Sequence, residues 1–60
     1  MTNGPFLVVC KEGAISWSAA QTDERDDAIM FGKHIAYKHP EYEVEVFDTS
    51  NPDLGNLLRD

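Results

Sequence analysis

The sequence contains several side chains of the types that enzymes use as nucleophiles, acids and bases. These are Cys10, Ser16, Ser18, His34, His39, Glu43 and Glu45. A catalytic thiol or hydroxyl needs a neighbouring base that activates it. No G-x-S-x-G elbow surrounds either serine, and no histidine has a fixed spacing to a nucleophile. Because 60 residues also leave little room for a concave pocket, we predict no catalytic residues and no enzymatic activity.

Metal and phosphate sites have no better support. His34 and His39 are five residues apart, which places them on different faces of a helix, and neither has zinc spacing with Cys10. Residues 48–53 carry many side-chain oxygens but lack the EF-hand spacing and its closing glutamate. No glycine-rich loop precedes a helix start, as a nucleotide phosphate would need. The sequence therefore predicts no metal and no cofactor.

Glu43 and Glu45 are two residues apart in an alternating segment. In a strand their carboxylates point the same way, about 7 Å apart. An acid–base pair would need burial to separate the two pKa values. A solvated pair would instead discourage pairing along the edge of a sheet. We favour the second interpretation.

Charge and size limit the function further. Eleven acidic and five basic side chains give a net charge of −6, which argues against direct binding to nucleic-acid phosphates. It leaves room for a partner with a basic surface, although solubility is the simpler explanation. We expect one domain over residues 1–60, with its core in 5–48 and a turn and short helix in 49–60. Its core is thin, because folding at this size buries only about 60% of the unfolded chain's surface.

Cys10 is the only cysteine, so no intramolecular disulfide can form. It stands in an apolar run with only Lys11 nearby to activate the thiol, which favours a buried small hydrophobe over a reactive nucleophile. A lone thiol, with no basic leader and no long apolar run, predicts a cytoplasmic protein without a membrane span.

The element that carries His34 and His39 is one amphipathic helix, predicted over residues 23–39. Thr22 is a natural N-cap, and the acidic residues of 23–27 favour the positive end of the helix dipole. Pro40 ends the helix and pushes His39 out of helical geometry. At about 1.5 Å per residue the helix spans roughly 25 Å, enough to cross a small sheet.

Two strands precede the helix. Residues 6–10 are apolar on both faces, which is typical of a central strand. Residues 14–18 alternate, with Ile15 and Trp17 on one face, which predicts a half-buried strand. Gly13 supplies the turn of a hairpin between them.

The order β-β-α-β predicts an α+β fold. Residues 41–48 form the third strand, with Tyr42, Val44 and Val46 on one face and Glu43, Glu45 and Phe47 on the other. The helix crosses over to place this strand beside the first, which gives a three-stranded sheet of order 2-1-3 with the helix on one face. We expect the helix to pack through Ala28, Phe31, Gly32 and Ile35. Gly32 either allows a close approach to the sheet or is simply tolerated.

This arrangement leaves the second sheet face uncovered, with Phe47 and apolar residues of the first strand on it. An open apolar face favours aggregation. A short C-terminal helix carries Leu54, Leu57 and Leu58 on one side. We expect it to fold back over part of this face, and a homodimer or another partner to cover the rest. The same leucines have LxxLL spacing, a helix-in-groove pattern that is very common by chance.

The main helix also presents a polar and apolar row opposite its core stripe. Residues seven apart stack along one side, which places Met30 and Tyr37 in line with Lys33 and His34 between them. An adaptable methionine and a tyrosine are typical of an interface, although scattered surface apolarity is the alternative. The candidate partner-binding residues are Met30, Lys33, His34, Tyr37, Glu43, Glu45 and Phe47.

The hairpin, followed by T-D-E-R-D-D-A-I-M-F-G-K-H-I-A and then Y-E-V-E-V, resembles small phage-encoded or bacterial proteins of unknown function with a β-β-α-β body. The resemblance covers about residues 6–48. Thr22 and Ala28 also loosely match the T-x-x-E-A cap of short β-β-α-β-β families, with the segment at Pro52 in place of a fourth strand. The resemblance to phage proteins implies an accessory protein that binds and redirects a host protein in the host cytoplasm. It carries over no active-site residue.

Three functional hypotheses follow. The first is a small acidic module that binds a protein partner. The second is an acidic nucleic-acid mimic that blocks the basic site of a nucleic-acid-binding protein, with its carboxylates in residues 23–27 and 41–48. The third is a self-associating structural protein. Sensitivity of binding to salt separates the second from the first.

Overall fold

The computed structural model describes residues 4–59 and has the predicted β-β-α-β order. The strands are β1 (Phe6–Glu12), β2 (Ile15–Thr22) and β3 (Glu43–Asp48), and the helix is α1 (Arg25–Lys38). Two short 3₁₀ helices follow, η1 (Pro52–Leu54) and η2 (Leu57–Arg59). The sheet order is β2-β1-β3, with β1 antiparallel to both neighbours. The predicted α+β class and the sheet order 2-1-3 are confirmed.

Strand β2 is longer than predicted because it continues past Ser18 through the two alanines that follow. Val8 of β1 lies opposite Ala20, whereas Val9 lies opposite Ser18, so Ala19 is the extra residue of a β-bulge. Alanine has little strand propensity, which hides this extension in the sequence.

The hairpin turn is as predicted, with Gly13 at a φ of 62°. Ile15 and Trp17 are two residues apart in β2, so they share a face as expected. Trp17 lies opposite the buried Cys10 of β1. This end of β2 is nevertheless open to solvent. Ile15 is 66% exposed and Trp17 is 37% exposed, so the burial predicted for this face is wrong for Ile15 and only partial for Trp17.

Helix α1 begins two residues later than predicted. Its N-cap is Glu24, and Thr22 instead accepts a hydrogen bond at Oγ1 from the Glu24 N–H at 3.2 Å. The other end is as expected. His39 has a φ of −131°, ahead of Pro40, and its N–H donates to the carbonyl of Ile35 at 2.7 Å.

The core lies between α1 and the sheet. Its buried members are Val8, Ala28, Val46 and Leu57. A Cβ built on Gly32 would lie 2.8 Å from Cγ2 of Val46, closer than real contacts allow. The glycine therefore permits the close approach of helix and sheet, which decides between the two interpretations of this residue.

Phe31, predicted to pack on the sheet, is 41% exposed and so is not a buried member of the core. Phe31 lies about 80° around the helix from the midline of Ala28 and Gly32. Because these small residues bring the helix axis close to the sheet, a bulky ring on that flank is displaced to the rim. Ile29 and Ile35 fill the space beside the core instead.

The C-terminal segment packs on the helix side of the sheet, so the prediction that it folds over the other face is wrong. Leu57 joins the core, and Leu58 approaches the position of a Gly32 Cβ at 3.4 Å. Leu54 stays exposed, because Gly55 at a φ of 67° separates the two 3₁₀ helices. Burial of Leu57 also removes the LxxLL surface as a ligand.

Asn56 attaches this segment to the outer edge of β3. Its Oδ1 accepts a hydrogen bond from the Val46 N–H at 3.0 Å and another from the Leu58 N–H at 3.1 Å. One side-chain oxygen therefore satisfies an edge-strand donor and orders the last turn of the chain.

Candidate protein-interaction surface

The outer side of α1 carries most of the large apolar area that the core leaves exposed. Met30 is 68% exposed and Tyr37 is 84% exposed, with Phe31 at the rim. The core needs only the narrow side of the helix that contains Ala28 and Gly32. The sequence places these larger residues on the remaining side, where none of them is buried in the core.

Four of the outer residues line a shallow groove of about 330 Å³. They are Asp27, Met30, Phe31 and His34. Their spacing of three, four and seven residues is that of one continuous helix side. The groove therefore has a methionine and a phenyl ring as apolar walls, and a carboxylate and an imidazole as its polar groups.

The groove is acidic at its N-terminal end. Asp26 and Asp27 lie in the first turn of α1, where the helix dipole favours carboxylates. Arg25 approaches Asp26 with Nη1 3.8 Å from Oδ1, an exposed pair of little energetic weight. No ion pair involves Asp27 within residues 4–59, so its carboxylate is available to a cationic partner.

The structure brings together only some of the predicted partner-binding residues on α1. Met30 and His34 line the groove, whereas Lys33 and Tyr37 are exposed on α1 outside it. The sequence does not indicate Phe31 as a groove residue, because its spacing to Ala28 and Ile35 predicts a place in the core. Asp27, in the first turn of α1, belongs by position to the acidic cluster. Spacing alone identifies Asp27 as a neighbour of Phe31, because it lies one helical turn earlier in α1.

The other three predicted residues lie on a separate surface. Phe47, Glu45 and Glu43 share the sheet face opposite α1, where they pair with Leu7, Val9 and Lys11 of β1. Glu45 forms an ion pair with Lys11, with Oε1 3.1 Å from Nζ. Because Lys11 of β1 pairs with Glu45, the carboxylates on this face are not a cluster of unpaired charge.

Cys10 is buried, in agreement with the prediction of a small hydrophobe. Burial raises the pKa of the Cys10 thiol, because the charged thiolate loses its hydration. The neutral thiol is therefore the stable form near neutral pH, which makes the residue a poor nucleophile.

An aromatic cluster that the sequence did not predict closes one end of the core. Trp17 and Tyr42 meet edge to face, with ring centroids 5.1 Å apart and planes at 90°. His39 stacks on the Tyr42 ring with centroids 4.7 Å apart, and its Nδ1 lies 3.3 Å from Oε2 of Glu41. These contacts fix the connection between α1 and β3.

Within residues 4–59, no three histidine, cysteine, aspartate or glutamate side chains lie close enough together to hold a metal ion. The helix in this range is too short and too polar to cross a membrane. Comparisons with known proteins add no relative: no family model, no curated protein and no solved structure matches this chain.

Proposed function

We propose that this chain is a small acidic protein-interaction module that binds a basic segment of a partner protein in the groove of α1. The observation that carries the proposal is the combination of exposed apolar walls with an unpaired carboxylate at Asp27. Exposed apolar surface rimmed by polar groups is typical of protein interaction sites.

The chemistry of the groove fits an arginine side chain. Its aliphatic stem would lie along Met30, and its guanidinium would stack on the Phe31 ring and pair with Asp27. The net charge of −6 would attract such a basic segment during encounter. The resemblance to phage-encoded proteins extends this proposal to a host protein in the host cytoplasm, whose activity the module modulates.

The test uses a short peptide that alternates arginine with leucine and follows the amide resonances of the protein by NMR. We expect the largest shifts along the groove of α1. Asp27→Asn should weaken binding about 1.4- to fivefold, because an exposed ion pair contributes about 0.2–1 kcal/mol. Met30→Ala should weaken it to a similar extent through lost apolar contact.

Matched control variants are available on η1, which carries an exposed aspartate and an exposed leucine. Asp53→Asn removes the same charge as Asp27→Asn, and Leu54→Ala removes a comparable apolar side chain. Both controls should leave peptide affinity unchanged. Equal losses in the groove variants and in the controls would refute the groove as the binding site.

The acidic nucleic-acid mimic is the alternative, and the same assay separates it. A mimic works through total charge, so its binding would collapse at high salt and would depend equally on every carboxylate. The ion pair between Glu45 and Lys11 reduces the charge of the β3 cluster, which favours the groove.

A further inference from the structure

The two edges of the sheet are built differently. The edge at β3 carries Glu43, Glu45 and Asp48, and the Val46 N–H on that edge is already bonded to Asn56. Such charges and covers prevent a sheet from pairing with other strands. The edge at β2 has the eight-residue sequence ISWSAAQT, without a single charged side chain. Across residues 4–59, no hydrogen bond reaches its outer backbone groups.

The hydrogen-bond pattern shows which groups of β2 face outward. Residues opposite each other in an antiparallel pair alternate between exchanging hydrogen bonds and not exchanging them. Val46 lies opposite Val8, and its N–H points away from β1 to Asn56, so these two residues do not exchange hydrogen bonds. The backbone N–H and C=O of Val8 therefore point toward β2. Two residues further along β1, Cys10 does the same.

Trp17, which lies opposite Cys10, therefore points its N–H and C=O toward β1. Its neighbours Ser16 and Ser18 point theirs outward. Ser16 and Ser18 thus each present a free backbone N–H and C=O on the outer edge of β2. They lie on a straight stretch of strand that ends at the bulge at Ala19.

From these features we infer that β2 pairs antiparallel with β2 of a second copy of the chain, about a two-fold axis at Trp17. In this register Ser16 faces the Ser18 of the second copy and exchanges hydrogen bonds with it, and the reciprocal pair does the same. The two Trp17 side chains then face each other in a pair without hydrogen bonds, where cross-strand contact is closest.

Charge and shape both support a second copy as the occupant. Two molecules of charge −6 repel each other, but the uncharged β2 edge lets them meet where this repulsion is weakest. The exposed Ile15 and half-exposed Trp17 would gain apolar contact, which accounts for large side chains at an end of the sheet that α1 does not cover. The pairing would join two three-stranded sheets into one of six strands. It does not use the α1 groove.

A charge-swap experiment tests both the pairing and its register. Ser16→Lys/Ser18→Lys places like charges opposite each other in the dimer, whereas Ser16→Lys/Ser18→Glu places opposite charges there. We expect the double-lysine variant to dissociate about tenfold more readily than the lysine–glutamate variant in sedimentation analysis. The double-lysine variant carries less net negative charge, so general repulsion between molecules predicts the reverse order.

A second pair of variants tests the backbone contact. Ser18→Pro removes an outward N–H that β1 does not use and should abolish dimers, whereas Ser18→Ala keeps that N–H and should retain them. Trp17 is the only tryptophan, so its emission should shift to the blue as protein concentration rises from micromolar to millimolar. A wild-type chain that stays monomeric over this range, or charge-swap variants that associate equally, would overturn the inference.

Discussion

Gly32→Ala tests how closely α1 packs on the sheet, because the substitution sets two effects against each other. Alanine in place of glycine favours a helix by about 1 kcal/mol. The new methyl group, however, would lie 2.8 Å from Cγ2 of Val46 and 3.4 Å from Cδ1 of Leu58. Leu58 can rotate away, but Val46 is β-branched and fully buried, so it cannot.

Overpacking of this kind costs about 1–3 kcal/mol. We therefore expect Gly32→Ala to lower the free energy of unfolding by about 1 kcal/mol, although it improves helix propensity. The assay is urea unfolding followed by the fluorescence of Trp17. With a slope of about 1 kcal/mol per molar urea for a small protein, the midpoint should fall by about 1 M at an unchanged slope.

Two controls separate the effects. Ala36→Gly, at an exposed position of the same helix, should cost about 1 kcal/mol from propensity alone. In a Val46→Ala background the clash is gone, so Gly32→Ala should become stabilising by about the same amount. An osmolyte in all samples keeps the weaker variants folded. A stabilising Gly32→Ala in the wild-type background would refute the close packing.

Two further predictions concern Asn56 and Cys10. Asn56→Ala leaves the Val46 and Leu58 N–H groups without their acceptor and should cost about 1–2 kcal/mol, with faster hydrogen exchange at Val46; Asn56→Asp keeps an acceptor oxygen and should lose less. Because burial raises the pKa of Cys10 in the folded state, the folded chain binds the thiol proton more tightly than the unfolded chain. Stability should therefore fall as pH rises above about 8.5, and Cys10→Ala, which lacks a titrating thiol, should remove this part of the pH dependence.

The elements that follow from local signals were predictable. The carboxylates after Thr22 and the proline at position 40 bound the helix within two residues, and Gly13 identified the hairpin. The run of apolar residues at the start of β1 indicated a central strand and hence the sheet order. Each of these signals depends on a few neighbouring residues, so it can be recognised without knowledge of the tertiary structure.

What the sequence could not provide was the rotation of α1 about its axis. Ile29 and Phe31 lie at similar angles on either side of the line through Ala28 and Gly32, so periodicity alone cannot choose between them. The choice depends on what packs on each flank. Periodicity therefore allows Phe31 in the core, as predicted, and gives no sign of the groove that it lines.

The sheet face that the C-terminal segment covers is not predictable from the sequence for a related reason. Three leucines near the C terminus predict an apolar contact but not the sheet face that provides it. Leu57 joins the core and Asn56 holds the segment at the β3 edge, whereas Leu54 remains in solvent. A hydrogen bond between a side chain and a strand ten residues away leaves no periodic signal in the sequence.

The position of Leu57 makes the last turn part of the cooperative folding unit. Chain ends commonly fray at little cost in free energy. Here, lifting η2 would expose Val8 and Val46, the interior of the sheet, together with Leu57 itself. Amide protons of η2 should then exchange nearly as slowly as those of β1. A protease that cuts beside the buried Leu57 would therefore need global unfolding rather than local fraying, and the cleavage rate there would report the stability of the whole domain.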